Sequence, residues 1–350
     1  MPPRPRNMYK RAACRLLLGV LPALAGAQDA GPDSFEEAPA IQQLIREESQ
    51  QGNAVAAWKL EQGLLRLTER YPDDVRSARI LRAAGNRRTA VLARYDAGEV
   101  PPEIVLGCYY RARWWGPDLR DVLPITPCTS GSRRVARRAL AADALGFYVE
   151  SARIMLHSEA AAGEELIELL MQLLASSYQN SAYEIGRWSL ESLLEQQEAN
   201  SASWLRKAHT LALMGDWDSL FARYLGTKLN SSALEAYEQA LSLLVEHGVA
   251  EDAVDAIFSP QIPIELPTFT TNRLTSDRTG DSSGFVDISF DIQNDGKSAR
   301  IEVNDSSADL PRSAERDLVN AVRHGRFRPI AANGRILESA PVTVRYYIND

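Results

Sequence analysis

The sequence predicts an α+β protein: an all-α, solenoid-like region of helical hairpins, followed by a small β-β-α-β domain at the C-terminal end. Three observations carry this reading. Apolar residues recur at helical spacing from Ile41 to about Phe258, whereas residues 284–348 contain stretches of strict apolar/polar alternation. Between them, residues 259–267 hold three prolines in nine positions, which no helix continues through. Charged residues make up 24% and hydrophobic residues 45% of the 350-residue chain, ordinary proportions for globular protein with room for two cores.

The first 27 residues read as a signal peptide. Arg4, Arg6, Lys10, Arg11 and Arg15 form a basic start, residues 16–24 an apolar core, and Ala25-Gly26-Ala27 a small-x-small cleavage site before Gln28. The apolar run is far shorter than the roughly 20 residues of a spanning helix. Retention as an uncleaved anchor is the competing reading, and Met8 is an alternative start. Cys14 precedes the apolar core, out of place for a lipoprotein site. Cleavage would remove five basic residues, taking the formal charge from −7 to −12 and delivering the chain to the periplasm.

Residues 28–40 read as a short mobile leader, and residues 41–258 as helical hairpins. Ile41, Leu44 and Ile45, then Trp58, Leu60, Leu64, Leu65 and Leu67, mark a first pair that ends at Tyr71-Pro72-Asp73-Asp74. Helical pattern continues through 75–82 and 89–94, breaks, and resumes at Arg133. Three more pairs are expected: 166–178 with 183–194, 203–214 with 217–229 across Gly215-Asp216, and 233–246 with 250–258 across His247-Gly248.

The break holds Cys108 and Cys128, the two cysteines left after cleavage. An even count in an exported chain favours a disulfide. The segment is rich in Pro, Gly and aromatics, and a bridge would contribute on the order of 3 kcal/mol by closing a ~20-residue loop. There is no C-x-x-C spacing to indicate redox chemistry.

Residues 259–283 read as a Pro-rich, polar linker and residues 284–350 as the second domain. Val286, Ile288, Phe290 and Ile292 alternate with Asp287, Ser289 and Asp291; Ala299, Ile301 and Val303 alternate with Arg300, Glu302 and Asn304. Asp295-Gly296 between them predicts a hairpin turn. Ala314, Leu318, Ala321 and Val322 then share one helical stripe, closed by Gly325 and Pro329. The final strand places Val342, Val344, Tyr346 and Ile348 on one face and Thr343, Arg345 and Tyr347 on the other.

Two resemblances follow. The Ala-rich helices with Gly-Asp and His-Gly turns resemble tetratricopeptide-like repeats, without a strict period of about 34 residues; an irregular helical bundle is the other reading. The run Gly284-Phe-Val-Asp-Ile-Ser-Phe, Asp295-Gly296, Val303-Asn-Asp-Ser-Ser307, Ala321-Val322-Arg323, Phe327-Arg-Pro329 and Val342-Thr-Val-Arg-Tyr346 resembles the TonB C-terminal domain, in order and spacing. That resemblance implies a sheet edge, at Val342, Thr343, Val344, Arg345, Tyr346, Tyr347 and Ile348, that takes an extended peptide of an outer-membrane receptor. Physically this is β-augmentation. The last strand would lie antiparallel beside the first, its other side open. Family transducers also carry an uncleaved inner-membrane helix coupled to the ExbB–ExbD motor and a long Pro-rich spacer; this chain departs from both.

Catalytic and metal chemistry find no pattern. His157, His209, His247 and His324 are isolated, with no H-E-x-x-H, G-x-S-x-G or S-x-x-K arrangement, so no cofactor or metal is expected. Asp216 reads as a turn or cap residue. Arg76, Arg79 and Arg82 would share a helix face, and Arg133, Arg134, Arg137 and Arg138 form a second basic cluster. The acidic total and the lack of a nucleic-acid motif argue against nucleic acid. The expectation is a non-catalytic periplasmic adaptor that binds envelope proteins through the terminal strand. Its competitors are a membrane-anchored TonB-type transducer and a periplasmic enzyme with an unrecognised site.

Overall fold

In a computed structural model of the chain, residues 32–109, 129–158, 163–226, 228–258, 264, 273–275, 282–307, 310 and 312–349 are described. Among them the chain is mostly helical, with a small antiparallel sheet at the C-terminal end: an α+β protein. It divides into two compact units between Asn180 and Ser181, inside the helical region rather than at the Pro-rich segment. The Ala27/Gln28 cleavage position and Cys128 lie outside the described residues. No described helix is long and apolar enough to cross a membrane.

The first unit contains α1 (Ala38–Gln50), α2 (Ala54–Arg70), α3 (Val75–Asp96), α4 (Pro102–Tyr109), α5 (Ser130–Leu156) and α6 (Glu164–Gln179). Asp74 caps α3, its carboxylate accepting from the Arg76 amide at 2.8 Å. Thr129 caps α5 in the same way, so that helix starts three residues ahead of its apolar pattern. Ile45, Leu64, Leu67 and Ile80 form one core, and Leu92, Ile104, Leu140 and Ala141 another. The leader expected to be mobile over 28–40 is instead packed from Phe35 onward. That ring sits on the α1–α2 core, 5.3 Å from the Tyr71 ring, with the Arg76 guanidinium 4.3 Å above it. A large aromatic in a polar stretch finds apolar surface there, and α1 begins three residues later. Cys108 lies on the backbone of α4; its pairing falls outside the described residues.

The second unit opens with α7 (Tyr183–Ala199), α8 (Trp204–Leu225), α9 (Lys228–Glu246) and α10 (Glu251–Ile257). The hairpin expected across Gly215-Asp216 is absent, because α8 runs straight through it. Gly215 is there for close packing rather than for a turn: a Cβ on it would lie 2.6 Å from the Tyr237 ring. The His247-Gly248 break does separate α9 from α10.

Six β elements and one helix follow among the described residues: β1 (Arg273–Thr275), β2 (Ser282–Gln293), β3 (Ser298–Ser306), α11 (Arg312–His324), the short pair β4 (Ala331–Ala332) and β5 (Arg335–Ile336), and β6 (Ser339–Asn349). The main sheet has the order β1-β6-β2-β3, antiparallel throughout. Gly296, at φ 76°, makes the β2–β3 turn. Val286, Ile288, Phe290 and Ile292 of β2 pack with Leu318 and Val322 of α11, Phe327, and Val344 and Tyr346 of β6. β1 falls within the stretch read as linker. Three residues are too few to show a strand period.

Candidate functional site

β6 pairs with β2 in unbroken antiparallel register from Phe285 opposite Tyr347 to Gln293 opposite Ser339. On its other side, β1 pairs only Arg273, Leu274 and Thr275, with Asn349, Ile348 and Tyr347. Among the described residues no strand adjoins that side from Ala340 to Tyr346. The side expected to be open along Val342 to Ile348 is therefore partly taken: Tyr347 and Ile348 already have a partner, and the unpaired stretch lies nearer the start of the strand.

The register also fixes which backbone groups face outward. The Asn294 amide donates to the Glu338 carbonyl at 3.0 Å, and these residues lie directly opposite in the β2–β6 alignment. In an antiparallel ladder such pairs recur every second residue. Residues 340, 342, 344 and 346 thus bond β2, while 341, 343 and 345 point away from it. Pro341 fits this assignment, since its missing N–H lies on the outward side, where no ladder bond is lost. Thr343 and Arg345 each present an N–H and a C=O, and Pro341 a C=O.

The side chains of β6 serve the sheet itself. Val344 and Tyr346 are buried in the core and Val342 packs at its margin. Burial pushes the Tyr346 phenol up to about 12. On the opposite face Thr343 Oγ1 lies 2.8 Å from Ser289 Oγ. Arg345 donates to both Asp287 oxygens at 2.7 and 2.6 Å, with its guanidinium 4.1 Å above the Phe285 ring. Those bonds hold the Asp287 carboxyl below its ordinary range and Arg345 above its own. What the strand has left to offer a partner is backbone.

A buried clasp fixes this sheet to helices of the same unit. Arg328, just after α11, donates from Nε to Asp216 Oδ1 at 2.8 Å and from Nη2 to Oδ2 at 2.6 Å, and reaches the Ile257 carbonyl through Nη1 at 2.5 Å. Tyr237 Oη donates to the same carboxylate at 3.0 Å. Burial opposes the Arg328 charge, but the Asp216 carboxylate outweighs it and raises the pKa. Burial, and then the Arg328 charge, push His209 below its usual value. The hairpin turn closes the contact: a Cβ on Gly296 would lie 2.6 Å from the Phe327 carbonyl oxygen and 3.3 Å from Ser219 Oγ. Asp216 is thus a mid-helix anchor rather than a turn or cap residue.

Other polar and aromatic side chains, those of the basic clusters among them, are engaged within the fold. Asp218, fully buried, accepts from Tyr183 Oη, Arg187 Nη1 and Ser232 Oγ at 2.8, 2.6 and 2.6 Å. Arg76 pairs with Asp74, Arg79 with Glu165, and Arg82 with Glu168. Of the second basic cluster, Arg137 pairs with Asp96. Trp217 is buried, its indole N–H donating to the Tyr183 carbonyl. Trp204 stacks on His247 with centroids 3.7 Å apart. Among the described residues no cluster of three or more His, Cys, Asp or Glu is arranged to hold a metal ion. No family model, curated protein or solved structure matches the chain.

Proposed function

We propose that this chain is a non-catalytic adaptor of the bacterial envelope whose TonB-like C-terminal domain binds a partner by strand addition. One observation carries the reading: among the described residues no strand pairs with the outer side of β6 at residues 341–345, where the register assigns the outward N–H and C=O groups. An extended peptide added there would continue the sheet order beyond β6, alongside β1. Affinity would come from main-chain hydrogen bonds, and selectivity from side chains that meet Thr343, Arg345 and the polar face beside them. The partner class is an envelope protein with an extended segment, such as the periplasmic peptide of an outer-membrane receptor. The helices, read from the sequence as tetratricopeptide-like hairpins, would offer a second surface.

The basic start, the short apolar run and Ala25-Gly26-Ala27 support export and a periplasmic location after cleavage at Gln28. Peptide mass spectrometry of the native N-terminus in soluble and membrane fractions tests that part. A chain that begins at Gln28 and is soluble agrees with the adaptor. One that begins at Met1 or Met8 in the inner membrane turns the reading toward a motor-coupled transducer. The binding step is tested by titrating the mature chain with a synthetic TonB-box peptide and with a scrambled control. Saturable binding of the first alone is the expected outcome.

A further inference from the structure

The corner between α8 and α9 carries apolar side chains that the fold does not bury. Tyr224 is 71% exposed, more than any other large apolar residue among those described, and Leu225 beside it is 58% exposed. They end α8; Gly226 turns the chain at φ 116°, and α9 starts at Lys228. The Gly226 amide donates to the Ala222 carbonyl at 3.1 Å, and the Gly226 carbonyl accepts from the Leu229 amide at 3.2 Å. Both helix ends are thus tied at the corner. A Cβ on Gly226 would meet nothing within 4 Å, so the corner is a fixed, protruding tip.

A similar adjacent pair, Trp204-Leu205 at the opposite end of α8, is partly answered inside the fold. The Trp204 ring stacks on His247, and Lys207 Nζ lies 4.5 Å from its centroid. Among the described residues no hydrogen bond or ring contact holds the Tyr224 side chain.

The charge at the tip is of one sign. From Ser219 to Leu234 the sequence contains Arg223 and Lys228 and no acidic residue, in a chain with 46 acidic side chains. Both cations are exposed. Arg223 suits the last turn of α8, whereas Lys228 is the first residue of α9, where the helix dipole disfavours a cation. No acidic residue in that first turn compensates it. The placement costs the helix and gains nothing within it.

Two apolar side chains present far less than the roughly 800 Å² that each partner contributes to a stable protein interface. A lipid surface needs less: a tyrosine and a leucine enter the headgroup boundary while flanking basic side chains meet its phosphates. We propose that the α8–α9 corner is a membrane-contact tip, which sets Tyr224 and Leu225 into an anionic phospholipid surface and Arg223 and Lys228 against its headgroups. The contact is peripheral and reversible, as expected for so small an apolar area beside two charges.

The test is co-sedimentation of the mature chain, which lacks the apolar run of residues 16–24, with two kinds of vesicle. One is phosphatidylglycerol mixed with phosphatidylcholine, the other phosphatidylcholine alone. Binding to the first should exceed binding to the second more than tenfold, from two basic side chains at about fivefold each, and should weaken as salt is raised. Leu225→Ser should weaken it about tenfold by withdrawing apolar area, and Lys228→Glu at least fivefold. Tyr224→Trp places a reporter at the tip. Its emission, taken as the difference from the unmodified chain, should shift to the blue with anionic vesicles and be quenched by brominated lipid. No vesicle binding, binding that Leu225→Ser and Lys228→Glu leave unchanged, or an emission indifferent to vesicles would overturn the proposal. So would a dimer that Leu225→Ser dissociates, which would assign the tip to a second copy of the chain.

Discussion

Arg328 and Asp216 form a two-pronged ion pair, at 2.8 and 2.6 Å, between residues 112 positions apart in the chain. It joins the loop after α11 to the middle of α8 and makes the sheet and these helices parts of one packed unit. Both side chains are largely enclosed, at 16% and 14% exposure, and the Tyr237 hydroxyl and Ile257 carbonyl complete their bonds. A pair this well enclosed contributes little net energy when intact but is costly to break, because a single charge is left behind.

Arg328→Ala should therefore destabilise the second unit by about 3 kcal/mol, toward the lower end for a broken buried pair given the residual exposure. Asp216→Ala should cost a similar amount, and the double variant less than the two combined. Chemical denaturation of the three variants checks this. Fully additive losses would mean that the pair does not couple the sheet to α8.

Gly215→Ala should destabilise the protein although alanine is the better helix former by about 1 kcal/mol. The added methyl would fall 2.6 Å from the Tyr237 ring, and moving that ring would pull its hydroxyl off Asp216. We expect a net loss of about 1–3 kcal/mol, in the range of overpacked sites. Thermal melting of the variant decides it, and a stabilised protein would speak against the tight α8–α9 contact.

Burial, partly offset by Arg88, pushes the Asp143 carboxyl from 3.8 up to about 6. A raised carboxyl pKa means the folded state holds its proton longer than the unfolded chain. Stability from this group is whole below pH about 4 and is lost as pH rises through about 6. Two pKa units correspond to at most about 3 kcal/mol, and residual solvent contact reduces this to one or two. Asp143→Asn should stabilise the first unit at neutral pH by that amount and leave it unchanged near pH 3.5. Urea denaturation at both values measures the difference.

Much of the helix and strand order was legible in the sequence, and the failures have physical causes. Tyr71-Pro72 and His247-Gly248 interrupt helices because proline and positive-φ glycine act on the backbone directly. Gly215-Asp216 carries similar letters, yet α8 continues, since its apolar stripe resumes without a change of phase and Tyr237 needs the missing side chain. β1 is too short for its period to register. Arg328 and Asp216 lie far apart in the chain, and no spacing rule connects them. At β6 the alternating pattern showed which side chains face the core. The partial cover by β1, and so the location of the unpaired backbone, needed the register.

Thr343→Pro and Val344→Pro should separate the two sides of β6. Proline at 343 removes an outward N–H and the bond to Ser289, so the fold should persist with a loss of about 1 kcal/mol while strand addition falls at least tenfold. Proline at 344 removes an N–H that bonds β2 and should unfold the sheet. Circular dichroism and peptide titration distinguish them. Equal damage from both would contradict the register assignment.

Amide hydrogen exchange along β6, with and without a saturating TonB-box peptide, reads strand addition residue by residue. Thr343 and Arg345 should exchange quickly in the free protein and become protected when the peptide binds, while Val342, Val344 and Tyr346 are protected throughout. Binding that leaves Thr343 and Arg345 unprotected, or protects residues outside β6 instead, would contradict strand addition at this edge.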